Sequence, residues 1–283
     1  MGRKYYSVRK SKNPLTEDRL KLLFGAVFGQ FREKQYFDEA FGFYCVDRDW
    51  VPGTIGKERD IYFLRHLRKP NLWPIEEELN SYTEDDLFDV IELLYDLVSE
   101  PLEGTYHSHE NCGMHYSTFN QPSGRAQFRS EINEILPDYK EGYELAENGE
   151  IVEKADKGVE TLLSARLPTS AGDNTQKRLE DAIGLFRRRH ASLTDRHSAV
   201  RMLADILEEL RPRLKHALSK KDEGDLFNIA NNFEIRHRNE KQKSQYDRSL
   251  WLSWMFYFYV ATLHFAVRRL EQTTAQTPGS SSS

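Results

Sequence analysis

The chain has 283 residues, 39% hydrophobic and 30% charged, with a formal net charge of -5 and a mean hydropathy of -0.71. That length suits two domains of ordinary size, and the composition describes a soluble chain with enough apolar residues for real cores. Only two cysteines are present, Cys45 and Cys112, which excludes a disulfide scaffold and points to a reducing, cytoplasmic setting. No apolar signal region follows Met1, and Tyr6 breaks the myristoylation pattern.

The first predicted helix opens at Asn13-Pro14-Leu15-Thr16-Glu17, with Thr16 as N-cap and Leu20, Leu23, Phe24, Val27, Phe28 and Phe31 as its apolar face. An aromatic-rich stretch of undefined type runs from Phe37 to Trp50 and closes in the turn Val51-Pro52-Gly53. A second helix spans Glu58 to Arg68. Thr83, followed by Glu84, Asp85 and Asp86, caps a third that runs to Val98. Residues 104–124 have no clear period, and Arg125 to Leu136 reads as helix. Asn148-Gly149 between alternating flanks predicts a type I′ hairpin over Tyr143 to Val152.

Pro168 to Asn174 has linker composition, and beyond it the pattern is helical throughout. Helices are predicted from Thr175 to His190, from a Thr194-Asp195 cap to about Ser219, from Asp222 to about Lys241, and from Asp247 to Leu270. The fold class expected is mainly α with a small β-hairpin. An α+β accessory or sensor domain over 14–167 precedes an antiparallel helical bundle over 175–272, between flexible tails 1–13 and 273–283. Charge divides in the same place. Residues 1–170 carry 21 Lys and Arg against 31 Asp and Glu, whereas residues 171–283 carry 19 against 14, which suits a polyanion partner for the second half.

Three constellations could carry chemistry. His107, His109, Cys112 and His115 lie within nine residues and would suffice in number and type for a tetrahedral zinc site, although the spacing matches no common knuckle. They are the alternative to the principal expectation, which assigns no metal and no cofactor, since Gly-rich phosphate loops, nucleophile elbows and dinucleotide fingerprints are absent. The apolar run Leu250 to Val267 approaches the length of a membrane span. Tyr257, Tyr259, Thr262 and His264 interrupt it, so it is expected to be a core helix contacted from all sides.

The third is Asn231 to Lys241, where Arg236, His237 and Asn239 crowd one helical stretch ahead of the aromatic run. His suits general acid–base chemistry near neutral pH, and the planar fork of Arg suits a pentavalent phosphorane. At this point the chain resembles the HEPN superfamily of helical-bundle domains, which are common in bacterial abortive-infection and toxin proteins. The resemblance implies a defence effector acting as a metal-independent RNA endoribonuclease. Arg236 would hold the phosphate, His237 would act as acid or base with Asn239 beside them, and Arg211 and His216 stand in reserve. It also implies a homodimer with a shared cleft, RNA as substrate and a partner protein from a defence system. The family places its His after the Arg with four to six residues between them, where this chain has Lys241, Gln242 and Lys243. The alternative is therefore a catalytically inactive oligomerisation or nucleic-acid-binding module.

Overall fold

A computed structural model describes residues 14–155, 158–222, 224, 226, 227 and 247–275. The protein is mainly helical, with small antiparallel strand pairs. It divides into two compact units, Met1–Lys154 and Ala155–Ser283, and the 168–174 segment read as a linker lies inside the second.

In the first unit the scaffold is helical. Helix α1 (Glu17–Glu33) starts where the Thr16 side chain accepts from the Arg19 amide, with Glu17 and Asp18 favourably placed in the first turn. It buries Leu20, Phe24, Phe28 and Phe31 at helical spacing. A short helix, α2 (Asp38–Phe41), leads into strands β1 (Phe43–Cys45) and β2 (Asp49–Val51), which resolves the aromatic-rich stretch into a turn of helix and a hairpin. Helices α3 (Arg59–Leu67) and α4 (Ile75–Glu78) follow. Helix α5 (Glu84–Leu97) opens on a reciprocal capping box, in which Asp86 N–H donates to Thr83 Oγ1 and Thr83 N–H to Asp86 Oδ2.

The segment without a period contains strands β3 (Glu100–Pro101), β4 (Gly104–His107), β5 (Gly113–Tyr116) and β6 (Phe119–Asn120), paired as β3–β6 and β4–β5. Helix α6 (Gln121–Ile135) begins earlier than predicted, because Asn120 caps it and Pro122 is tolerated in a first turn. It inserts Phe128 against Phe31, with ring centroids 5.3 Å apart. Strands β7 (Tyr143–Leu145) and β8 (Ile151–Glu153) form the predicted hairpin, but its turn is not type I′. Gly149 alone takes a positive φ, +89°, whereas that turn needs two such residues.

In the second unit, α7 (Glu160–Ser164) is short, and three long helices, α8 (Asp173–Arg187), α9 (Leu193–Ala217) and α10 (Arg248–Ala275), share one core. Ser192, not Thr194, is the N-cap of α9, with Asp195 completing its capping box. Phe186 of α8 stacks on Phe256 of α10 at 3.9 Å. Ser249–Thr273 is long and apolar enough to cross a membrane, yet Leu252, Met255, Phe256, Tyr259, Val260 and Leu263 are buried among the other helices. Leu250, Trp254 and Phe265 are exposed, so the helix is not contacted from all sides as expected. Most of the helix predicted from Asp222 to Lys241 lies outside the described residues.

Candidate metal centre

Four side chains converge in the first unit. The ligand atoms of Cys45, His107, Cys112 and His115 all lie within 4.8 Å of one another. Cys45 ends β1, His107 ends β4, Cys112 sits in the loop between β4 and β5, and His115 is on β5. Cys45 Sγ is 3.9 Å from His107 Nδ1, and Cys112 Sγ is 3.1 Å from His115 Nε2. Tetrahedral zinc, with bonds of about 2.3 Å to sulfur and 2.0–2.1 Å to nitrogen, separates its ligand atoms by about 3.4–3.8 Å. The cluster brackets that spacing, so small adjustments would seat the ion.

Each ligand is positioned by the scaffold behind it. Gln35, just beyond α1, donates from Nε2 to the Met114 carbonyl at 2.9 Å and to Asp38 at 2.7 Å, fixing β5 against the helices. Arg59 of α3 donates twice to the Phe41 carbonyl, through Nε at 3.1 Å and Nη2 at 2.6 Å. Its guanidinium lies 4.1 Å from the Trp50 ring centroid, so it braces the β1–β2 hairpin. Gly104 is required where the hairpin strands meet, because a Cβ there would stand 2.4 Å from the His115 carbonyl oxygen. In the loop that carries His109 and Cys112, Glu110, Asn111 and Gly113 have φ of 49°, 56° and 97°. A left-handed Glu is an uncommon conformation that its surroundings must impose.

Asp47, in the turn after Cys45, links the outer imidazoles. Its Oδ2 is 3.1 Å from His107 Nε2 and its Oδ1 is 3.1 Å from His109 Nδ1. A neutral His107 that gives Nδ1 to a metal carries its proton on Nε2, where Asp47 accepts it. This is the carboxylate–histidine arrangement that fixes the tautomer and orientation of a ligand. Asp47, His107 and His109 form a second group of mutually close ligand atoms, but it has three members rather than four, and Asp47 and His109 are exposed. Partial desolvation, with His107 and Arg48 nearby, holds His115 below the usual imidazole range and so favours the neutral form that binds metal.

The alternative ligand set from sequence was His107, His109, Cys112 and His115. The structure brings three of them together, replaces His109 by Cys45, and moves His109 out to Asp47. Arg236, His237 and Asn239 lie outside the described residues. Of the reserve pair, Arg211 is engaged by Glu208 at 3.2 Å, and its guanidinium lies 4.4 Å from the Phe227 ring centroid, whereas His216 is exposed. Five positions apart on one helix, the two are rotated by about 140° and form no shared site within a chain. No protein-family model, curated protein or solved structure matches the chain.

Proposed function

We propose that the first unit is a zinc-binding module, in which Cys45 Sγ, His107 Nδ1, Cys112 Sγ and His115 Nε2 hold one ion. Four protein ligands close the coordination sphere, and a two-sulfur, two-nitrogen set is borderline-soft, which suits zinc and a structural role. The observation that carries the reading is the convergence of these four ligand atoms within 4.8 Å from two separate hairpins. A second fact explains what the metal would do. Strand β4 is largely exposed and β5 only half-buried, and a two-stranded hairpin with so little core of its own is marginal in water. Zinc would supply the stabilisation that a core supplies elsewhere.

Elemental analysis of the purified full-length chain tests this. About one zinc per chain is expected, lost in Cys45→Ala and retained in His109→Ala. A wild-type chain that carries no zinc and takes none up, or one whose zinc survives Cys45→Ala but not His109→Ala, contradicts it.

For the second unit, the nuclease implied by the HEPN resemblance is a proposal supported by the residue types at Arg236, His237 and Asn239 and by the basic excess of residues 171–283. On this reading two copies associate to build the cleft, and the zinc module serves as sensor or adaptor. His237→Ala should relieve toxicity on expression, and RNA products should end in 2′,3′-cyclic phosphate. Loss of a general acid or base costs about 10²–10⁴ in rate. A wild type inert on every RNA offered would leave the inactive binding module as the reading.

A further inference from the structure

We infer that Cys45 and Cys112 form a paired thiol-oxidation site, at which a hydroperoxide expels the metal and leaves an intramolecular disulfide. The inference rests on the zinc reading above. These are the only two cysteines in the chain, and both sulfurs belong to the same group of ligand atoms within 4.8 Å. Oxidation of either thiol therefore begins beside the other. Their exposure differs in a useful way: Cys45 is buried at the end of β1, while Cys112 is partly exposed in the β4–β5 loop. Metal coordination keeps both as thiolates, the reactive form.

The chemistry balances with a hydroperoxide as the sole oxidant. The Cys112 thiolate attacks the terminal peroxide oxygen, so an S–O bond forms, the O–O bond breaks, and the departing hydroxide (alkoxide from an alkyl hydroperoxide) is protonated to water (or alcohol). The resulting sulfenic acid is attacked by the Cys45 thiolate. The S–S bond then forms as the S–O bond breaks, and a second hydroxide leaves and is protonated. Two electrons have passed from the sulfur pair to peroxide. With both thiolates consumed, only His107 and His115 would remain to hold the ion, too few to retain it.

The closure required is short. Thiolates on one zinc stand about 3.8 Å apart, and a disulfide needs about 2.05 Å. The movement falls on the loop around Cys112, which buries no side chain between His109 and Asn111 and is followed by Gly113 with its φ of 97°. The disulfide would join the same two hairpins that zinc joins, so oxidation exchanges one cross-link for another.

The test treats the zinc-loaded full-length chain with hydrogen peroxide, reads zinc release with a colorimetric chelator, and maps peptides without reduction. Expected are about one zinc released per disulfide formed, a Cys45–Cys112 linked peptide, and recovery of both starting states on adding dithiothreitol and zinc. Three results overturn the inference: zinc retained with both sulfurs unmodified, zinc released with separate sulfinic acids, or cross-links only between chains. A chain that holds no zinc before peroxide is added fails the metal reading itself and removes the release step. The same peptide map then decides separately whether the two sulfurs pair.

Discussion

Asp47 touches no ion in the proposed centre, yet it decides how well His107 can serve. Its carboxylate accepts from His107 Nε2 at 3.1 Å and so holds Nδ1 towards Cys45. Asp47→Asn keeps the size but weakens that hold, and a 10–100-fold loss of zinc affinity is expected by chelator competition, in the range seen for outer-shell partners. An unchanged affinity would remove Asp47 from the account. Asp38 makes a different prediction. Burial pushes its carboxyl up to about 6, against the Gln35 hydrogen bond and Arg32, which pull it down. Its folded pKa then exceeds an unfolded value of about 3.9. The native state therefore binds the extra proton between those values, and stability falls as pH rises through that window. Asp38→Asn should melt higher than wild type above pH 6, with the advantage gone below about pH 4. An advantage that grows on acidification would reverse the sign and refute the burial argument.

At the scale of elements, the helices were legible because each buries one face. The spacing of Leu20, Phe24, Phe28 and Phe31, and the Thr83–Asp86 box, are local signals that need no tertiary partner. Thr83→Ala should cost about 1 kcal/mol in a denaturant titration, and a loss near zero would show that the box merely decorates the helix end. Strands β4 and β5 were illegible for the opposite reason. A hairpin with one strand largely exposed and the other uniformly half-buried has no alternation of apolar residues to read, and the segment 104–116 shows none. For the same reason its order should depend on the metal. Chelation should accelerate amide exchange across Gly104–Tyr116 while α5 and α6 stay protected. Equal protection with and without chelator would mean that the hairpin holds itself.

For the whole molecule, the centre was only partly legible in the sequence. His107, Cys112 and His115 are close in sequence and could be grouped by eye, whereas Cys45 lies far upstream and reaches them through tertiary placement of its hairpin, by Gln35 and Arg59 behind it and by the contacts of Asp47 and Phe43 with the imidazoles. The pairing of the only two cysteines in one ligand set was the signal that could have found it. His109, the nearer residue in sequence, points instead to Asp47. The two units have separate hydrophobic cores, so zinc should act on one of them. Free zinc at a hundred times its Kd should raise the stability of the first unit by about 2.7 kcal/mol. The melting of the second unit, followed by the stacked aromatics around Phe186 and Phe256, should not move. A uniform shift of both would show that the metal acts elsewhere.

Cobalt substitution tests the central claim most directly, because its electronic spectrum reports both the geometry and the ligand type. The full-length chain loaded with Co(II) should show the intense visible bands of a tetrahedral site together with thiolate-to-cobalt charge transfer. Both should be displaced by about one equivalent of zinc and be weaker in Cys45→Ser. Weak octahedral bands without charge transfer, or a spectrum indifferent to Cys45, would contradict a two-cysteine, two-histidine centre.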